Sequence, residues 1–218
     1  MNSDATKEQM PARQIQEQEG PKEIVLDKDV AKAFGRLLRQ QIFPTEDIAT
    51  ILKQVESIQP AEDKSDEGLA HFTSSAQRII KLVEAIEHAK EVRLIRPMKE
   101  LPMEWDFKFS EERDMDIEKP QPGEITVDKD LFSKVRSAMH HNFNNSLIPI
   151  LGIPELISIR TQNENIREQC QNITETAKKM ASKFSNTITL SPHGVKLITD
   201  SEGITTLIPI SDPKPQAV

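Results

Sequence analysis

The sequence is poor in several residue types, and each shortage argues against a class of protein. Its 218 residues include one cysteine, seven glycines, one tryptophan and no tyrosine. The single cysteine, Cys170, cannot form an internal disulfide and excludes most thiolate metal sites, which is typical of proteins of the reducing cytosol. The shortage of glycine and aromatic residues disfavours β-sandwiches, barrels and glycine-rich nucleotide-binding folds. The composition therefore predicts an all-α fold.

Charge and hydropathy exclude two further classes. With 28 basic and 35 acidic residues the net charge is −7, and a nucleic-acid-binding protein needs a basic face. The chain has no apolar run of 18 residues and opens with a polar segment. We therefore expect a cytoplasmic protein that binds neither nucleic acid nor membranes.

The chain contains an internal repeat with an offset of 101 residues. The segment 23–29 (EIVLDKD) recurs at 124–130 (EITVDKD), with five of seven positions identical. Apolar positions further along keep the same register. They pair Val30, Phe34, Leu37, Leu38, Ile42, Leu52, Val55, Ile58, Leu69, Phe72, Ala76, Ile79 and Val83 with Leu131, Val135, Ala138, Met139, Phe143, Ile153, Leu156, Ile159, Cys170, Ile173, Ala177, Met180 and Phe184. We interpret the repeat as a duplication.

Each repeat unit reads as a helical hairpin. In the second unit, Asp128 or Asp130 is the expected N-cap of a helix that kinks or partly breaks at Pro149 and Pro154. A turn at 161–163 leads to a return helix whose apolar residues have heptad spacing. The first unit kinks at Pro44, has its loop at 59–66 and returns from Gly68 to Arg96. Two hairpins predict a four-helix bundle with a small C-terminal β-hairpin; a homodimer of such chains is the alternative.

Six segments follow from this pattern. Residues 1–21 form a disordered tail, 22–96 a degenerate hairpin and 97–123 a proline-rich connector in which Met103 to Phe109 is a short strand or a loop. Residues 124–190 form the second hairpin, 191–210 a β-hairpin docked on the helices or on a partner, and 211–218 a second tail.

The stretch 139–152 (MHHNFNNSLIPILG) carries the chemistry. It resembles the H-box of the dimerisation and histidine-phosphotransfer domain of sensor histidine kinases, in the variety that reads His-Asp-Phe-Asn-Asn and ends in Ile-Leu-Gly. The resemblance covers about 128–188. The matching residues are His141, Phe143, Asn144, Asn145, Leu147, Ile150, Leu151 and Gly152.

The resemblance implies that His141 is the phosphoacceptor and that Asn145, one turn later, orients water or the phosphoryl group. Asn142 and Asn144 are expected as hydrogen-bonding neighbours. Helical geometry places His141 roughly 120° from the centre of the apolar face, so the imidazole is predicted to face solvent. In the first unit Gln40 stands at the equivalent position, and an amide cannot form a phosphoramidate.

Two departures from the family limit the activity. Asn142 replaces the acid that the family places beside its histidine, and an amide is no general base near pH 7. Only 77 residues follow His141, with Gly152, Gly194 and Gly203 as their only glycines, so the family's ATP-binding domain is not expected. The chain is therefore not predicted to be an autonomous kinase.

The leading hypothesis is an ATP-independent histidine phosphotransfer protein, or kinase-derived regulator, that exchanges phosphate with the receiver domain of a response regulator. It needs no cofactor of its own, because the regulator supplies Mg²⁺. The alternatives are a regulator phosphatase that uses Asn145 and a non-catalytic scaffold for a regulator or a histidine kinase. Two further interpretations stay open. His140 and His141 could be a solvated pair without a function in a plain helical bundle. A metal site formed by His140, His141 and His193 is much less favoured, because adjacent helical side chains diverge by about 100°.

Overall fold

The computed structural model describes residues 22–58, 67–96, 105–113, 120–189 and 191–211. The tail predicted at 1–21, residues 212–218 of the tail predicted at 211–218 and the loop predicted at 59–66 lie outside the described residues. So do residues 97–104 and 114–119 of the connector. None of the described helices combines the length and apolar content that crossing a lipid bilayer requires.

The described chain consists of two halves with one element order. The N-terminal half, residues 22–113, contains β1 (Lys22–Val25), α1 (Lys28–Leu37) with a π-helical turn (Leu38–Ile42), α2 (Thr45–Ile58), α3 (Glu67–His88), β2 (Val92–Arg96) and β3 (Asp106–Phe109). The C-terminal half, residues 120–211, contains β4 (Gly123–Val127), α4 (Lys129–Arg160), α5 (Glu164–Thr187), β5 (Val195–Thr199) and β6 (Thr205–Pro209). Each half is therefore strand, helix, helix, strand, strand, because α1 and α2 together correspond to α4.

Each half forms its own three-stranded antiparallel sheet, ordered β1-β2-β3 and β4-β5-β6. Glu23 lies opposite Ile95 in the first sheet and Glu124 opposite Ile198 in the second. The prediction of an all-α four-helix bundle with a single β-hairpin is therefore wrong, and the fold is mixed α/β. The predicted hairpin exists as β5 and β6, but it is two thirds of a sheet that also contains β4.

The sequence interpretation missed strands because their partners are distant in the chain. The repeated segments at 23 and 124 form β1 and β4, which are only four and five residues long. β1 pairs with β2 across α1, α2 and α3, and β4 pairs with β5 across α4 and α5. The return helix of the first half was extended to Arg96, but α3 ends at His88. The residues after it alternate, with Val92 and Leu94 buried and Arg93 partly exposed, which is the period of a strand. In the connector, the strand interpretation is confirmed at Asp106–Phe109.

Proline acts differently in the two halves. At Pro44 the helix is interrupted, since the π-helical turn ends at Ile42 and α2 begins at Thr45. At Pro149 and Pro154, where the sequence predicts a kink or a partial break, α4 is not broken and continues through both. Buried residues between and after these prolines, Ile150 and Ile157, anchor α4 to the core. Packing therefore offsets the missing backbone donors.

Helices of both halves share one hydrophobic core. Phe34 stacks on Phe132 with ring centroids 6.4 Å apart, and Phe43 stacks on Phe143 at 4.7 Å. The heptad prediction for the return helix is confirmed, because all six of its apolar positions are buried. These are Ile166, Cys170, Ile173, Ala177, Met180 and Phe184.

The start of α4 agrees with the capping prediction. Asp128 is the N-cap of α4 and accepts from the Leu131 N–H (2.9 Å), so the choice between Asp128 and Asp130 is settled. Asp27 caps α1 at the equivalent position. The predicted turn at 161–163 is confirmed, and Asn163 caps α5.

Candidate functional site

His141 lies in the middle of α4 and is half-buried, whereas the helical projection predicted a solvent-facing ring. The side of α4 on which it lies is flanked by the start of β3 from the other half. One turn earlier, Ser137 accepts a hydrogen bond from the Trp105 N–H (3.3 Å), and the Lys134 ammonium lies 5.6 Å from the Trp105 ring centre. A projection of one helix cannot show this flanking strand.

Asn142 is buried and occupied by a contact between the halves. Its Nδ2 donates to Asp106 Oδ1 (2.7 Å) and to the Ala138 carbonyl (2.9 Å). Sequence reasoning placed Asn142 beside the reacting group as a hydrogen-bonding neighbour of His141. The structure instead places its side chain against β3, where an amide donor matches a carboxylate. Its amide therefore links α4 to the first sheet.

Asn144 and Asn145 are both exposed. Asn145 is four residues after His141 and therefore close to the same helix face. The carbonyl of Asn145 does not accept the usual helical hydrogen bond from the residue four positions later, because that residue, Pro149, has no N–H. The amide side chain and this backbone oxygen together place polar groups one turn from His141.

His140 is partly buried and packs against α5, so it is not a fully solvated side chain. Its ring centre is 5.0 Å from that of Phe184, and among the described atoms its buried Nε2 has no hydrogen-bond partner. Burial lowers the pKa of His140, the Arg136 guanidinium adds to this, and a hydrogen bond to the Ile188 backbone offsets part of it. His140 is therefore a packing residue whose ring contacts Phe184.

Gln40, the residue of the N-terminal half that corresponds to His141, is hydrogen-bonded to the β5–β6 turn and to β6. We call these contacts of Gln40 the clasp. Gln40 donates from Nε2 to the Gly203 carbonyl (2.9 Å) and accepts at Oε1 from the Thr205 N–H (3.0 Å). Gln41 contacts the Thr205 carbonyl. Gly203 has a φ of 81°, the left-handed conformation that a tight β5–β6 turn requires. Gln40 and Gln41 thus hold the second sheet as Ser137 and Asn142 hold the first.

Sequence reasoning missed an exposed apolar face below His141, which we call the α4 face and define as Asn145, Ile148, Gly152, Leu156 and Ile159. At 100° per residue these five lie within roughly 80° of one another and of His141. Ile148, Leu156 and Ile159 are 66%, 53% and 79% exposed, and nothing lies within 4 Å of a Cβ placed on Gly152. Large exposed apolar side chains on one face are typical of interaction surfaces.

The repeat register identified Leu156 and Ile159 as apolar positions but could not show that they are exposed. Leu156 and Ile159 correspond to Val55 and Ile58, which are 2% and 1% exposed. The π-helical turn and the interruption at Pro44 change the rotational phase of α2, whereas α4 continues without interruption. Equivalent apolar residues are therefore buried in one half and exposed in the other.

Among the described residues, no three His, Cys, Asp or Glu side chains are grouped so that they could hold a metal ion, and His193 is not brought into such a group with His140 and His141. No family model, curated protein or solved structure matches this chain.

Proposed function

We propose that this protein exchanges phosphate with the receiver domain of a response regulator through His141, without ATP, in the cytoplasm. The observation that carries the proposal is the α4 face, which gives a partner protein an apolar contact area beside the half-buried imidazole of His141. The likeness of residues 139–152 to an H-box supports it from the sequence. The helical hairpin of α4 and α5 supplies a rigid mount for the ring.

Phosphate transfer from an aspartyl phosphate requires only a nucleophilic imidazole from this chain. An unprotonated imidazole nitrogen attacks the phosphorus of an aspartyl phosphate, the N–P bond forms, and the bond from phosphorus to the carboxylate oxygen breaks. The aspartate leaves as a carboxylate, and the metal ion on the regulator balances the phosphoryl charge. Because a carboxylate is a good leaving group, the reaction does not need the acid that Asn142 replaces.

A second candidate is a regulator phosphatase. It is favoured by the exposure of Asn145 one turn from His141, where its amide would orient a water molecule for attack on the aspartyl phosphate. In that reaction His141 carries no covalent phosphate. Water hydrolyses the aspartyl phosphate, so the products are the unphosphorylated aspartate side chain of the regulator and inorganic phosphate.

Label transfer separates these functions. Receiver domains carrying ³²P-labelled aspartyl phosphate are incubated with the wild type and with His141→Gln, which places at 141 the residue type found at position 40. Transfer predicts acid-labile, alkali-stable label on the wild type and on the neighbouring control His140→Gln, and none on His141→Gln. Phosphatase activity predicts inorganic phosphate release that Asn145→Ala abolishes. Binding of the receiver domain without either outcome contradicts both activities and leaves the scaffold.

The α4 face can be tested by itself. Ile148→Glu and Leu156→Glu each place a charge in the apolar contact and are expected to weaken receiver binding at least tenfold. Ile208→Glu is the matched control, because Ile208 is 44% exposed on β6, away from the α4 face. Equal binding by all three variants would show that the regulator docks elsewhere.

A further inference from the structure

The N-terminal half contains a cavity that the proposed function does not use. It has a volume of about 270 Å³ and lies beside the π-helical turn, α2 and α3. Its apolar wall includes Ile48, Ile80 and Val83, and its charged wall includes Arg39, Glu84 and Glu87. An apolar pocket with a few convergent polar groups is the usual form of a small-molecule site, and this volume is slightly below the common range of about 300–1,000 Å³.

The two carboxylates of the cavity, Glu87 and Glu84, differ in their partners. Glu87 is buried, and its two oxygens accept from Nε and Nη2 of Arg39 at 2.7 and 2.8 Å, which neutralises both groups. The Nε2 of His88 lies 3.8 Å from the same Glu87 carboxylate. Glu84 is half-buried, and among the described residues it makes no ion pair or side-chain hydrogen bond. Glu84 therefore places a carboxylate beside the apolar wall without a counter-ion among the described residues.

The corresponding place in the C-terminal half is filled. Val83 corresponds to Phe184, whose ring packs 5.0 Å from that of His140 and 5.5 Å from that of Phe143. At the offset of 101, Glu84 and Glu87 correspond to Ser185 and Ile188. The N-terminal half thus has a small side chain and two carboxylates where the C-terminal half has an aromatic ring and no carboxylate.

We propose that this cavity binds a small organic cation, with its ammonium group against Glu84 and its apolar body against Ile48, Ile80 and Val83. An anion is disfavoured, because it would face the Glu84 carboxylate and would have to compete with Glu87 for Arg39. Breaking that pair would leave a buried carboxylate without its counter-ion. This binding site is independent of His141 and of phosphate exchange.

Phenethylamine is a suitable probe because it combines an ammonium group with a compact apolar body. Titration of the full chain, followed through the methyl resonances of Ile48, Ile80 and Val83, is expected to give saturable shifts. Phenylacetate has the same body with the opposite charge, and 2-phenylethanol is neutral; both are expected to bind at least tenfold more weakly. Equal or tighter binding of either compound, or no saturable shift with the amine, would overturn the proposal.

Two variants locate the site. Glu84→Gln removes the charge and is expected to weaken phenethylamine binding at least tenfold, whereas Glu56→Gln, at an exposed position of α2, leaves it unchanged. Val83→Phe introduces the residue found at position 184 and is expected to abolish binding by filling the space. If Val83→Phe does not fold by circular dichroism, the Glu84→Gln and Glu56→Gln pair decides, and equal affinities in that pair would refute the site.

Discussion

At the scale of single residues, His140 shows how packing sets a protonation state. The ring lies against Phe184 and near Arg136, and both burial and that cation disfavour the imidazolium, so its pKa is lowered from the ordinary 6.5. Below that value the unfolded chain binds a proton that the folded chain does not. The stabilisation from the neutral ring is therefore complete above pH 6.5 and is lost as the pH falls towards the folded-state pKa.

We expect His140→Gln to reduce the acid sensitivity of folding. Between pH 7.5 and 5.5 the unfolding free energy of the wild type should fall more than that of the variant, with a limit of about 1.4 kcal/mol per pH unit for one proton. Urea denaturation at several pH values measures it. His71→Gln, at an exposed position, should keep the slope of the wild type. Identical slopes for wild type and His140→Gln would contradict this assignment.

At the scale of elements, α1 and α3 approach closely at Gly35. A Cβ on Gly35 would lie 2.5 Å from both Cα and Cβ of Glu87, whereas a Cβ on Gly152 in α4 would meet nothing within 4 Å. Gly35→Ala should therefore destabilise the protein by about 1–3 kcal/mol through overpacking. Gly152→Ala should stabilise it by about 0.5–1 kcal/mol, because alanine is the better helix former. Thermal unfolding compares the two, and a loss of stability in both variants would contradict the open environment of Gly152.

The clasp at Gln40 predicts how the second sheet is held. Gln40→Ala leaves the Gly203 carbonyl and the N–H of the fully buried Thr205 without these partners. We expect a loss of about 1–2 kcal/mol and faster hydrogen exchange at the Thr205 amide. Gln171→Ala, at an exposed position of α5, is the control and should change neither quantity. Unchanged exchange at Thr205 in Gln40→Ala would show that the sheet does not depend on the clasp.

At the scale of the whole molecule, the two halves depend on each other. Aromatic rings stack between them, each sheet is hydrogen-bonded to a helix of the other half, and the buried residues form one core. A single half would expose the apolar side of its hairpin. The two helical hairpins of one chain therefore share a core, as the hairpins of two chains do in a dimer.

Fragments 1–119 and 120–218 are therefore not expected to fold as separate monomers. Each alone should be unfolded or self-associated, and a 1:1 mixture should regain the helical circular dichroism and the cooperative unfolding of the intact chain. Size-exclusion chromatography with light scattering identifies the species. A monomeric fragment with a cooperative transition would contradict the shared core.

The sequence by itself determined the features that depend on neighbouring residues. The cap at Asp128, the heptad face of α5, the β5–β6 hairpin and the 101-residue register follow from local periodicity and side-chain chemistry. Tertiary structure alone decided the features that depend on distant residues. These are the pairing of β1 with β2 across three helices, the contact of Asn142 with Asp106, the exposure of Leu156 where Val55 is buried, and the space beside Val83 that Phe184 fills in the other half. The physical reason is that a residue's type fixes what contacts it can make, whereas chain packing decides which neighbour arrives to make them.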